Sequence, residues 1–204
     1  YFVNASYPFT KLVPIPKIEF KREDLYKLWV KTRSLGWKLR GVDEPLMELE
    51  KAGYNSLYAY RFDWDDQVSS YFADFPNLIG AAHGFEISFV TGDFKFGPIG
   101  RFVYPKGELR DQMKETMMQA WTSFAKTGVP NTGKSHEWKK FNSKDRSFMK
   151  LDSDENLSMA QEILSLEFIT ENVRLSTVGT LLEKCLLVQE TFFNIGDYFE
   201  KEFT

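Results

Sequence analysis

The spacing of apolar residues changes several times along the chain, and each change predicts an element. Residues 1 to 20 are aromatic, and Pro8, Pro14 and Pro16 forbid a regular helix, so an extended connector is expected. From Lys21 onward, Leu25, Leu28, Trp29 and Trp37 fall on a helical stripe, with Glu23 and Asp24 where acidic side chains favour the positive end of the helix dipole. Gly41 is expected to interrupt this helix, and a shorter one follows through Leu46, Met47 and Leu49 until Gly53. Ser56 to Trp64 is rich in β-formers between Asn55 and Asp65-Asp66, which reads as a buried central strand. An aromatic loop over 67 to 82 carries Tyr71, Phe72, Phe75 and Pro76, and Phe85 to Val90 is a short apolar turn of helix or strand.

The clearest helix runs from about Gly107 to Lys126, with Met113, Met117, Ala120, Trp121 and Phe124 at three- and four-residue spacings and Gly128 and Pro130 to stop it. It follows an irregular aromatic segment, Gly92 to Tyr104. Residues 131 to 146 read as a polar surface loop, Ser147 to Asp152 as a short strand, and the chain from about Met159 as mostly helical. Ile163, Leu164, Phe168, Leu181, Leu182, Leu186 and Phe192 are expected to face inward there. This order of helix, strand, loop, long helix, strand and terminal helices fits the C-terminal part of an α/β protein. Two strands cannot bury both their faces alone, so further strands from elsewhere and a large exposed apolar face are expected.

Composition narrows the classes. The 204 residues are 43% hydrophobic and 27% charged, enough for a sizeable core in one domain or part of a larger one. A formal net charge of −3 offers no basic surplus for phosphates, which argues against nucleic acid as a partner. No apolar run approaches the roughly 20 residues that cross a bilayer. The chain opens on Tyr1 without an initiator Met, so a segment of a longer protein is expected. The single Cys185 rules out an internal disulfide and reads as a small buried hydrophobe in a helix. Asn4-Ala5-Ser6 and Asn156-Leu157-Ser158 match the glycosylation triplet, a pattern frequent by chance.

Candidate chemistry centres on Gly80-Ala-Ala-His83-Gly84, a histidine among small residues after the strand. Imidazole titrates near neutrality, so it can take a proton from a hydroxyl and return it to a leaving group. A hydrogen-bonded structural histidine is the other reading. The imidazole is expected to face a cleft rather than the core. His136, beside Ser135, Glu137 and Lys139, reads as a solvated histidine, and Asp63, Asp65 and Asp66 as a solvated strand end rather than a metal site.

Three ordered stretches, LYAYRFDWDD (57–66), LIGAAHGFEISFVTG (78–92) and QAWTSFAKTGVPN (119–131), resemble the C-terminal third of type-B carboxylesterases, the cholinesterase-like α/β hydrolases. The resemblance covers most of residues 37 to 151, including GWKLRGVDEPLMELEKAG (36–53). It implies an α/β fold: the C-terminal portion of an α/β-hydrolase domain spanning 1–204, incomplete without an upstream segment. In that family the matching histidine is the general base of a Ser-His-Glu triad, which places the role on His83. Serine, acid and histidine follow one another along such chains, and no G-x-S-x-G or glycine-run oxyanion motif occurs in residues 1 to 204. The resemblance therefore implies that nucleophile and acid precede Tyr1.

Glu86 matches a glutamate kept beside the base, and reads either as support for the histidine or as a packing and charge-network residue. The family often has a second acid where Ser88 stands. Phe85, Phe89, Phe94 and Phe96 read as substrate walls or as core.

The function so implied is hydrolysis of small carboxylic esters through an acyl-enzyme, with no metal or organic cofactor. The rival is a catalytically inactive, esterase-like adhesion or binding protein, which the upstream serine would distinguish. A second rival is an independent helical interaction module, testable by whether the 204 residues fold alone.

Overall fold

A computed structural model describes residues 1–8, 16–134, 136–153 and 156–193. Pro14 of the connector and Ser135 beside His136 lie outside the described residues. Strands β1 (Val3–Ser6) and β2 (Lys17–Phe20) pair as a two-stranded sheet, in keeping with an extended opening stretch. The chain divides into two compact units, each with its own hydrophobic cluster.

The first unit comprises residues 1–4, 20–53 and 162–204. Helix α1 (Glu23–Lys38) opens on Glu23 and Asp24 as expected; Leu25 is buried in the unit's hydrophobic cluster, and Leu28, Trp29 and Leu35 pack against that cluster. Two expectations fail here. Gly41 does not break the helix: a π-helical turn, Leu39–Asp43, carries α1 directly into α2 (Glu44–Lys51). Trp37 is exposed instead of inward, and its ring lies over Gly41, where an added Cβ would meet Trp37 Cδ1 at 2.8 Å. The absent side chain thus serves a close approach rather than a stop. Across the π-turn, Lys38 Nζ lies 2.8 Å from Oδ2 of Asp43, which is 1% exposed, and donates to the Glu162 carbonyl at 3.1 Å.

Helix α7 (Leu166–Leu175) starts at Ser165, whose hydroxyl accepts from the Phe168 backbone N–H at 3.1 Å. Helix α8 (Leu181–Phe193) starts in a reciprocal capping box. The Thr180 N–H donates to Glu183 Oε2 at 2.8 Å, and the Glu183 N–H donates to Thr180 Oγ1 at 3.3 Å. The inward faces are Leu166, Ile169 and Val173 on α7 and Leu187, Val188 and Phe192 on α8. Of the seven residues expected inside, Leu164 and Phe192 are buried, whereas Ile163, Phe168, Leu181, Leu182 and Leu186 are exposed. Residues 181–188 are apolar on nearly every side, so periodicity could not choose a face. Cys185 is exposed for want of the same signal, contrary to its reading as a buried hydrophobe.

The second unit comprises residues 5–19 and 54–161. Its sheet has the order β3-β4-β5, from β3 (Tyr60–Phe62), β4 (Ser147–Leu151) and β5 (Ser158–Gln161). β3 and β4 run parallel with Tyr60 opposite Met149, and β4 and β5 run antiparallel with Met149 opposite Met159. β4 matches the short strand expected over 147–152, whereas β5 stands at the start of the stretch expected to be mostly helical.

The expected central strand over 56–64 is an edge strand of three residues among the described ones, with Tyr60 and Arg61 exposed. Its flank is nonetheless anchored. The Leu57 carbonyl accepts from the Phe141 N–H at 2.8 Å, and the Ala59 carbonyl accepts from the Met149 N–H at 3.0 Å and from Trp138 Nε1 at 3.0 Å. Trp138 and Phe141 are buried, so 131–146 is not wholly a surface loop.

Parallel strands require a long crossover, and residues 63–146 supply it. It contains α3 (Phe75–Leu78), α4 (Glu86–Thr91), a 3₁₀ turn at Gly97–Ile99, α5 (Gly100–Val103) and α6 (Glu108–Thr127), which ends at the left-handed Gly128. On α6, Met113, Met117 and Ala120 are buried and Trp121 packs against their cluster, while Phe124 at the end of the stripe is exposed. The α/β class expected from the sequence is borne out by this parallel pair and its helical crossover. No helix among the described residues is long and apolar enough to cross a membrane.

Candidate active site

The local backbone makes the histidine segment a compact turn. Gly80 has φ +53° and Gly84 φ +85°, left-handed conformations that a side chain would strain. The Ala82 N–H donates to the Gly80 carbonyl at 2.8 Å, the Phe85 N–H to the Ala82 carbonyl at 3.2 Å, and the Ile87 N–H to the Gly84 carbonyl at 3.3 Å, where α4 begins. His83 sits exposed on this turn, in the crossover that follows β3. It is not packed in the core, in keeping with that part of the expectation from the sequence. A recess of about 560 Å³ walled by Phe94, Tyr104, Arg101 and Arg110 does not include it.

Two buried side chains hold the ends of the turn. Gln67, 6% exposed, donates from Nε2 to the Gly80 carbonyl at 2.8 Å; Tyr104, 2% exposed, donates from its hydroxyl to the Phe85 carbonyl at 3.1 Å. Beneath α4, Phe89 is fully buried, its ring 4.9 Å from Trp64, 5.2 Å from Phe94, and 5.7 Å from both Phe62 and Tyr104. Phe89 is core, Phe85 and Phe94 are partly buried against the same cluster, and Phe96 is exposed. Gln67 and Tyr104 escape a sequence reading because no motif or period relates them to residue 83.

Glu86 is the half-buried first residue of α4, one turn beyond His83. Its charge is felt by two phenols. Partial desolvation first, and Glu86 second, hold the Tyr60 hydroxyl above its ordinary pKa, although the residue as a whole is 38% exposed. Burial also raises Tyr104, opposed by a hydrogen bond with Ser88 and reinforced by Glu86. Both phenols therefore keep their protons at neutral pH, and Tyr104 remains a donor to the turn.

The aspartates after β3 are not a uniformly solvated strand end. Asp63 accepts from Arg61 Nε at 2.6 Å and lies 3.7 Å from Lys150 Nζ, while burial, then Asp65, raise the partly buried Asp66. Among the described residues, no group of three His, Cys, Asp or Glu side chains is placed to hold a metal ion. His136 is exposed, as expected for that position.

The model of the carboxylesterase family matches residues 44–169, which include His83, Glu86, Gln67 and Tyr104. The chain is similar to the para-nitrobenzyl esterase of Bacillus subtilis (strain 168), 32% identical over 104 residues, covering 50% of this chain and 19% of that protein. It is also similar to human carboxylesterase 3, 35% identical over 83 residues, covering 40% and 14%. Mouse cholinesterase is 34% identical over 84 residues, covering 40% and 13%. A solved structure of PNB esterase aligns at 27% identity with a TM-score of 0.39, covering 51% of this chain and 19% of that one. The chain thus spans less than a fifth of the length of these relatives. Because the family model covers well over half of the 204 residues, the chain belongs to the carboxylesterase family.

Proposed function

We propose that the protein carrying this chain hydrolyses small carboxylic esters and that His83 is its general base, within a Ser-His-Glu triad whose serine and acid come from a segment outside these 204 residues. The observation that carries the proposal is the position of His83: exposed on a glycine-bounded turn braced at both ends, inside the family-matched stretch. A base must present its ring nitrogen to a hydroxyl within about 3 Å, which needs a ring face open to its partner and a backbone held in place. The exposed Ile87 and Phe96 near the turn, and Tyr71 in the preceding loop, support a covering segment, since large apolar side chains gain free energy when removed from water.

The chemistry runs in two halves. The serine oxygen attacks the ester carbonyl carbon as His83 takes the hydroxyl proton. The tetrahedral intermediate then expels the alcohol, which leaves with that proton, and an acyl-serine remains. Water attacks the acyl carbon, its proton passing to His83 and then to the departing serine oxygen, which frees the carboxylic acid. Glu86, the half-buried first residue of α4 one turn beyond His83, is the candidate support for the base.

The proposal is tested by treating the complete protein with a fluorophosphonate probe and following p-nitrophenyl acetate turnover. Loss of turnover with one labelled serine outside the 204 residues is expected. Absence of both turnover and labelling would instead establish an inactive esterase-like protein.

A further inference from the structure

We infer that Gln67 and Tyr104 are positioning residues for His83, a role that rests on the reading of His83 as the base. The turn from Gly80 to Phe85 is short and bounded by two left-handed glycines, whose backbones are freer than any other residue's. Such a segment would wander unless tied, and each tie is a buried side chain reaching a backbone carbonyl. Gln67 comes from the segment after β3 and takes the Gly80 carbonyl, three residues before His83; Tyr104 comes from the end of α5 and takes the Phe85 carbonyl, two residues after it. The imidazole therefore stands between two fixed points drawn from distant parts of the chain.

The character of the two residues favours this role over simple packing. Gln67 buries an amide whose Oε1 finds no hydrogen-bond partner among the described residues, an unfavourable choice where an apolar side chain would fill the space. Its amide orientation follows from chemistry, since only the NH₂ can meet a carbonyl oxygen. The Gly80 carbonyl already accepts from the Ala82 N–H, so Gln67 is not needed to satisfy it. What the amide adds is attachment of the turn to the segment leaving β3. Tyr104 could be phenylalanine as far as its ring contacts with Phe85, Phe89, Phe94 and Phe96 are concerned; the hydroxyl is what reaches a backbone carbonyl of the turn. Burial first, and Glu86 with it, keep the proton on that hydroxyl against an opposing hydrogen bond with Ser88, so the tie holds through the neutral range.

A base displaced by about 1 Å from its proton donor can lose on the order of 100-fold in rate without loss of substrate binding. Tyr104→Phe and Gln67→Met, both close in shape to the native residues, are accordingly expected to lower kcat for p-nitrophenyl acetate by roughly 10- to 100-fold with KM changed less than about twofold. The decisive comparison uses the complete protein with His83→Ala, its activity restored by free imidazole. An untethered base does not depend on the turn, so adding Tyr104→Phe or Gln67→Met there should change the restored rate less than about twofold. Losses of equal size in both backgrounds would overturn the inference, because the residues would then act on something other than His83. Undiminished kcat in the single variants, with His83→Ala inactive, would overturn it while leaving His83 as the base. Full turnover in His83→Ala would remove the base reading and this role together. Amide exchange gives a readout independent of imidazole rescue: at residues 81–85 it should quicken roughly tenfold in each variant and stay unchanged in β4. Unchanged exchange in the turn would equally overturn the inference.

Discussion

Phe89 is the residue on which the support of the histidine turn can be weighed. Its ring is fully buried and meets Trp64, Phe94, Phe62 and Tyr104 at centroid distances of 4.9 to 5.7 Å. Truncating a buried phenylalanine costs about 3–5 kcal/mol, from lost transfer free energy and the cavity left behind. Aromatic pairs add roughly 0.5–1.5 kcal/mol each beyond burial, so four of them place Phe89→Ala near the upper end, at about 4–5 kcal/mol. Phe89→Leu keeps most of the volume but loses the ring contacts, for about 1–2 kcal/mol. With a urea dependence of about 2–3 kcal/mol per M, the alanine variant should unfold at a midpoint lower by roughly 1.3–2.5 M and the leucine variant by roughly 0.3–1 M. The assay is urea unfolding followed by fluorescence and circular dichroism together, at unchanged slope. An alanine shift no larger than the leucine shift would mean that the site collapses around the missing ring and that α4 is not anchored as described.

Other consequences follow from the first unit. Asp43→Ala removes the carboxylate at 2.8 Å from the Lys38 ammonium, leaving the Glu162 carbonyl at 3.1 Å and the Glu162 carboxylate at 3.9 Å beside it, and should cost about 3 kcal/mol in urea unfolding, the low end for a broken buried pair. Lys38→Met with Asp43→Leu should recover most of that loss, because it removes both buried charges. Glu183 is held down to about 2 by the Thr180 backbone N–H first and the Tyr1 hydroxyl second, against an ordinary value of 4.5. A carboxyl with a depressed folded-state pKa contributes stability that is fully present above pH 4.5 and is lost as pH falls toward 2. Stability measured between pH 4.5 and 2 should therefore fall less steeply in Glu183→Gln than in the native chain, and an identical slope would refute the capping role.

Much of the framework is legible where one pattern dominates. The Met113, Met117 and Ala120 stripe with Gly128 after it defines α6, and Glu23 and Asp24 mark the start of α1. Legibility fails where two patterns compete. Around Gly41 the stop signal is outweighed by Trp37, whose ring needs the space a side chain would fill. In α8 the apolar residues of 181–188 fall on several sides and leave no single face to choose. β5 is four residues of mixed polarity whose strand state depends on pairing with β4, a contact no local window contains. The histidine turn itself is visible because its glycines are in the sequence. Its braces are not, since Gln67 and Tyr104 lie 13 and 19 residues from the carbonyls they hold.

The most direct measurement is turnover of p-nitrophenyl acetate by His83→Ala beside His136→Ala in the complete protein, with unfolding curves confirming that both variants are folded. The base role of His83 predicts a fall of roughly three to six orders of magnitude for His83→Ala, leaving the residual rate that binding and oxyanion stabilisation sustain, and native turnover for the exposed His136→Ala. A folded His83→Ala variant that keeps most of its activity would contradict it.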